Sequence, residues 1–390
     1  MYVSNVLNEI DTSQTVVFSS NGSLLKTLGP IESVALSSSS DQVSHSEIQR
    51  VLQKMLEQGA NNPIVIGAIG FDGRSEPQLF VAKDYQRIPV QDLINTDSKL
   101  DVEIESISQV TSRGNYEDSV RKALDLFEYT PLKKVVLSRS IDIKAQQNLK
   151  ASQLFQQLLS QNQKAYVYSI PMLNEQTLIG ASPELLIRKE QKQIVSNPLA
   201  GSAKLSKEQA ENQRLTEHLL SSKKDLFEHE FVVNAVNDAL LPYCEQLNTP
   251  NSPSVIRTPT MLHLSTEIDG QLKSENVDAL ELAYALHPTP AICGTPYQLA
   301  HQAITLLENY RREMFSGMVG WVDSKGNGEW AVTIRCGKVS KDSMRLYAGA
   351  GIVENSVPEA EWQETSAKLG TMLNAFGLNI SESMLAEGLS

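Results

Sequence analysis

Residues 316–339 read SGMVGWVDSKGNGEWAVTIRCGKV. Apolar residues alternate with small or polar ones on both sides of SKGNG at 324–328, which predicts a β-hairpin turning there. MRLYAGAGIV at 344–353 predicts the strand that follows. Upstream, KKVVLSRSIDI at 133–143 carries β-branched residues in alternation and predicts another strand. AYVYSI (165–170) and TLIGASPELLIRK (177–189) predict two more, joined by a polar turn at 173–176, and SNPLAGSAKL (196–205) predicts a loop. Helical periodicity places helices at 116–128, 152–162, 277–286 and 359–376, with one long helical block at 207–240. Proline steps at Thr130-Pro131, His287-Pro288 and Thr295-Pro296 punctuate them. The first hundred residues alternate loops, including the serine run Ser37 to Ser40, with a helix near 45–58 and a strand at 64–71. Strands clustered with helices between them point to an α+β chain with large antiparallel sheets, not a doubly wound parallel sheet.

The chain has 390 residues, 41% hydrophobic and 21% charged, which is ordinary for a soluble globular protein. A formal charge of −12 argues against nucleic acid or an acidic membrane as the main partner. It leaves an anionic small molecule open, because local charge and a metal override the global sign. Three widely spaced cysteines, Cys244, Cys293 and Cys336, suggest neither a disulfide framework nor a zinc site. No signal peptide is legible, and the longest apolar run, 63–71, is too short to span a bilayer, so a cytoplasmic protein is expected.

Two carboxylate pairs carry the strongest chemical signal. Asp225-x-x-Glu228 lies in KKDLFEHEFVV and Glu361-x-x-Glu364 in EAEWQETSAKL. In helical stretches, i,i+3 spacing projects both members from one face. A lone pair of this kind is usually a solvated surface. Two pairs brought together make an oxygen nest for a hard dication, and Mg²⁺ suits it because it keeps positions open for water or an anion. His229 sits beside Glu228, but adjacent helical residues diverge, so a core or supporting role is expected for it.

KVVLSR (134–139), GASPELLI (180–187), PLAGSA (198–203), KDxxEHE (224–230), LHPTPAxxG (286–294), TIRC (333–336), AGAGIV (348–353) and EWxET (361–365) occur in this order. Together they resemble the chorismate-utilising enzymes and, within them, isochorismate synthases of the siderophore type that feeds 2,3-dihydroxybenzoate. The resemblance implies a single large α+β domain of two intertwined subdomains, with antiparallel sheets and helices packed outside. It divides the chain into an N-terminal part of the fold (1–114), a chorismate-binding catalytic region (115–378) and a C-terminal tail (379–390). It implies Mg²⁺ as cofactor, chorismate as substrate, a monomer, and a transient contact with the downstream isochorismatase.

Residue by residue, the resemblance makes Lys134 the general base that activates water at C2 of chorismate. Such a base must be a neutral amine, which burial and a nearby cation favour. Glu184 becomes the general acid at the leaving C4 hydroxyl, a role that needs a protonated carboxyl. Glu228 and Glu364 become direct metal ligands, with Asp225 and Glu361 as outer ones. Arg335 holds the enolpyruvyl carboxylate through its guanidinium fork. Lys368 reaches a substrate carboxylate or pairs with Glu364 one turn before it. Gly201, Ser202, Gly349 and Gly351 offer backbone donors, and His263 lies near the substrate. Ala291, Ile292, Phe315, Ile334 and Tyr347 pack around the enolpyruvyl group.

Four other readings remain at this stage. A salicylate synthase would share Lys134, Glu184 and the metal site and then eliminate pyruvate; Phe315 resembles the isochorismate-only members. Isochorismate could instead supply menaquinone. An ammonia-using synthase is disfavoured by Lys134, and a non-catalytic scaffold by the complete set of acid, base and metal residues.

Overall fold

The computed structural model describes residues 14–34, 45–94, 100 and 102–378. The Ser37 to Ser40 run and the 379–390 tail lie outside the described residues. Two large antiparallel sheets dominate. One runs Gly294–Thr295, Lys134–Ala145, Ser343–Ile352, Cys336–Val339, Thr177–Ser182, Tyr166–Pro171, Val17–Ser20, Ser23–Leu28, Asp84–Pro89, with Ile104–Gln109 also paired to Lys134–Ala145. The other runs Cys244–Asn248, Ile268–Leu272, Gln193–Asn197, Leu185–Glu190, Gly328–Val332, Met318–Asp323, Ile64–Ile69, Gln78–Ala82, Glu32–Ser33. Strands from before and after residue 115 are interleaved in both sheets, so the chain folds as one α+β unit.

The alternation explains the layers. In Ile64–Ile69, Ile64, Ile66 and Ala68 face one way and Val65 and Ile69 the other. The first set meets Phe18, Tyr168 and Ile170 of the other sheet, in a core containing strand and loop residues but no helix. The opposite faces are covered by helices: Ala151–Gln161 and Pro358–Ala375 on one sheet, His45–Glu57, Lys223–Leu240 and Ala279–Leu286 on the other. Strands buried on both faces are apolar throughout, which is why they read as continuous runs.

Four local expectations fail in whole or in part. The 177–189 stretch is not one strand: it breaks at Pro183-Glu184, and its halves, Thr177–Ser182 and Leu185–Glu190, belong to different sheets. The predicted hairpin holds for Met318–Asp323 and Gly328–Val332, but Cys336–Val339 crosses to the other sheet. Arg335, at the crossing, has φ 51, and that left-handed turn redirects the chain. The two crossings hydrogen-bond each other's neighbourhood, Val332 N–H to Glu184 O at 3.1 Å and Ala181 N–H to Arg335 O at 3.0 Å.

The 196–205 loop is instead strand, Gln193–Asn197 and then Leu199–Lys204, the latter in a small sheet with Met261–Ser265 and Ser254–Arg257. The 207–240 block is two helices, Gln209–Ser221 and Lys223–Leu240. Ser222 ends the first and caps the second, its hydroxyl accepting from Asp225 N–H at 3.3 Å. A serine there stabilises the new helix by about 1 kcal/mol, and a period count cannot see the break.

Candidate active site

A cavity opens where the two crossings, the small sheet and the Pro358–Ala375 helix converge. Glu184, Glu228, Glu364 and all eleven residues assigned to substrate binding line it, from Gly201 and Ser202 to Lys368. Lys134, Asp225 and Glu361 stand just behind its wall.

Both acidic pairs sit near helix N-termini, Asp225 and Glu361 within the first turns of Lys223–Leu240 and Pro358–Ala375. Gly201 lets strand and helix touch: it has φ +80, and a Cβ there would sit 3.1 Å from Asp225 Cβ. Ser202 Oγ donates to Glu364 Oε1 at 3.1 Å, tying the small sheet to the last helix. Three lysines stand against the carboxylates. Lys134 Nζ is 2.9 Å from Glu228 Oε1, Lys224 Nζ 3.0 Å from Glu361 Oε1, and Lys368 Nζ 2.6 Å from Glu364 Oε1. Lys368 thus takes the intrahelical partner, and it also donates to Gly349 O at 2.9 Å.

The donor set fits a dication. Among the described residues, no three His, Cys, Asp or Glu side chains form a ready-made cage, because lysines stand between them. Yet Glu361 Oε2 is buried without a hydrogen-bond partner. Burial first, and then the charge of Glu364, raises the Glu361 carboxyl above its usual range. Burial raises Asp225 as well. For Glu364 burial works upward, but Lys368 beside it prevails and holds it low. Two of these acids therefore gain from a neighbouring positive charge that would repay their desolvation.

Lys134 begins the Lys134–Ala145 strand and is fully buried. Its Nζ lies against Glu228 outside hydrogen-bonding angles and has no other partner. Gly351 makes the room: a Cβ there would lie 2.2 Å from Glu228 Oε1 and 3.0 Å from Lys134 Cε. Glu184, on the first sheet crossing, is 3% exposed. Burial raises its carboxyl to about 7, against a hydrogen bond from Leu199 N–H and the charges of Lys134 and Arg335. An acid that keeps its proton near neutral pH can deliver it to a leaving group.

Arg335 is also buried, and burial lowers it to about 10, so it stays cationic. Its Nη2 lies 3.4 Å from His263 Nε2. Burial, with Arg335 and Lys368 nearby, depresses His263 well below its usual range, so the ring is neutral and can accept that bond. Phe315 stacks on Tyr347 with centroids 5.2 Å apart and planes at 11°, forming an aromatic wall. His229 serves the core as expected: its ring bonds Ala200 O at 3.1 Å and Thr266 Oγ1 at 2.8 Å.

Three residues escaped the sequence reading. Lys224, the neutraliser of Glu361, directly precedes Asp225 and was visible as the second lysine of KKD. Arg312 is buried, bonds Glu308, and donates to Ile292 O at 2.8 Å and Val136 O at 2.6 Å, fixing two cavity-lining segments. Its only signal was the i,i+4 spacing from Glu308. Arg139 stacks over Trp362 at 3.6 Å and donates to Thr365 and Ser366, gripping the turn that holds Glu361 and Glu364. Nothing local in KVVLSR announced that.

A family model described as chorismate binding enzyme matches residues 53–377. The chain is 40% identical over 341 residues to the vibriobactin-specific isochorismate synthase of Vibrio cholerae, covering 87% of this chain and 86% of that protein. It is 42% identical over 339 residues to the isochorismate synthase DhbC of Bacillus subtilis, covering 85% of each. A solved Bacillus anthracis structure assigned as the 2,3-dihydroxybenzoate-specific isochorismate synthase DhbC superposes with a TM-score of 0.88 at 42% identity. That match covers 96% of this chain and 99% of the other.

Proposed function

The chain belongs to the chorismate binding enzyme family, and from that premise we propose that it is an isochorismate synthase of catechol-type siderophore biosynthesis. It converts chorismate to isochorismate. One observation carries the reading: a carboxyl kept protonated to about pH 7 by burial shares a cavity with Arg335, beside a buried lysine and an acidic cluster.

Water adds at C2 of the ring and the C4 hydroxyl departs. Glu184 gives its proton to that hydroxyl oxygen, and Lys134 takes one from the attacking water. Acid–base assistance of this kind is worth about 10² to 10⁴ in rate. Arg335 pairs with the enolpyruvyl carboxylate and, with His263, fixes its orientation. Phe315 and Tyr347 exclude water from the enolpyruvyl group, with Ala291, Ile292 and Ile334 completing that wall. Gly201, Ser202 and Gly349 let backbone approach the ring carboxylate. Enzymes of this family generally depend on Mg²⁺; here Glu228 and Glu364 would hold it directly, and Asp225 and Glu361 as outer ligands, through water or by direct contact. When bound it would neutralise the ring carboxylate and draw electron density from the ring. No helix among the described residues is long and apolar enough to cross a membrane. The working form is a cytoplasmic monomer that meets its isochorismatase transiently.

Incubation with chorismate, with and without Mg²⁺, followed by chromatography, tests the reading. Isochorismate as the main Mg²⁺-dependent product supports it. Stoichiometric pyruvate with salicylate would make the protein a salicylate synthase, and absence of turnover would remove the acid and base roles.

A further inference from the structure

A second hollow, of about 580 Å³, lies outside the acidic cluster, and its lining includes Lys133, Lys223, Lys224, Phe227, Phe231 and Glu354. Lys224 links it to the site: it lines the hollow while its ammonium rests 3.0 Å from Glu361. Phe227 is 53% exposed and meets Phe231 edge-on with centroids 4.6 Å apart, leaving an aromatic face on the helix.

The placement of these lysines runs against local physics. Lys223 and Lys224 are the first two residues of the Lys223–Leu240 helix, after the Ser222 cap. That end carries the positive pole of the helix dipole, where anions are favoured and cations disfavoured. Lys224 is offset by Glu361, but among the described residues Lys133 and Lys223 make no ion pair. The whole chain, at −12, repels an anion. Here a helix N-terminus and two lysines outside any ion pair, Lys133 and Lys223, line one hollow, opposed by Glu354, so this patch is more positive than the chain as a whole.

We infer that this basic, aromatic hollow is the capture site for the dianionic cyclic substrate, held there before it passes the Lys224–Glu361 pair into the cavity. Lysines draw the two carboxylates and the phenylalanine faces accept the ring. The inference rests on chorismate being the substrate.

The test is steady-state turnover of chorismate by Lys133→Glu/Lys223→Glu protein at two ionic strengths, with Mg²⁺ held constant. At about 10 mM salt kcat/KM falls about tenfold below the parent, and at about 1 M, where screening is within about 3 Å, the gap closes. The value of kcat stays within about twofold, because the two lysines are outside the reacting centre. Glu354→Gln raises kcat/KM at low salt, a gain that misfolding cannot mimic. Equal kcat/KM at low salt, a gap that survives high salt, or a fall confined to kcat would each overturn the capture site. A parent that turns over no chorismate at either salt would overturn the functional reading, and the capture site with it.

Discussion

Gly351→Ala separates the catalytic geometry from the stability of the fold. Gly351 lies opposite Val136 in the sheet, and its backbone is not in the left-handed region, so alanine adopts its backbone conformation without strain. The added methyl lands 2.2 Å from Glu228 Oε1 and 3.0 Å from Lys134 Cε. The carboxylate is the free end of a flexible side chain, so it retreats by more than about 1 Å to reach an ordinary contact near 3.5 Å. A displacement of that size at a reacting centre costs about 10² in rate, or about 2.7 kcal/mol of transition-state stabilisation. The fold loses little, because only the ends of the Glu228 and Lys134 side chains have to move: a melting shift within about 3 °C is expected. The assay is kcat/KM for chorismate across a Mg²⁺ titration, with Tm measured in parallel. The variant should lose about a hundredfold in kcat/KM while melting like the parent. Folded Gly351→Ala protein that works within about threefold of the parent would refute the reasoning, since Glu228 and Lys134 would then not need their observed positions.

Glu184→Gln should be nearly inactive, down about 10² to 10⁴, and more stable than the parent at alkaline pH. Burial raises this carboxyl from 4.5 to about 7 in the folded protein, so the unfolded chain releases its proton first as pH rises. The proton-linked stability is therefore full below about pH 4.5 and lost by about pH 7; above that the glutamine variant should lead by about 3 kcal/mol. Denaturant unfolding at pH 5 and pH 8 reads this, and an equal difference at both would exclude a buried protonated acid. Arg335→Lys should raise KM by about ten- to hundredfold, because a lysine cannot present the fork beside His263; an unchanged KM would remove the carboxylate clamp. Dialysis against EDTA should abolish turnover and added Mg²⁺ should restore it; full activity in EDTA would show that the acidic pairs serve the fold alone.

Helix spacing made the two acidic pairs visible, because i,i+3 geometry is local and survives in any context. The Lys134 strand, the 318–332 hairpin and the last helix were legible for the same reason. The crossings at Glu184 and Arg335 were not. Residues on either side are apolar and strand-like, and period-two alternation is the same whichever sheet a strand joins. The Ser222 break was hidden because both flanks are helical and only a capping hydroxyl marks the change. Lys224, Arg139 and Arg312 were missed because each earns its role through a partner far away or through burial.

The amino-acid order thus carried the kinds of groups present and their local spacing: acids at helical intervals, a lysine opening a strand, an arginine between strands. Only the packed chain decided that they meet, that Glu184 is buried enough to keep a proton, and that three lysines stand among four carboxylates. Backbone propensity acts over a few residues. Desolvation and Coulomb energy depend on what surrounds a group in space, and in an interleaved sheet fold those neighbours come from distant parts of the chain.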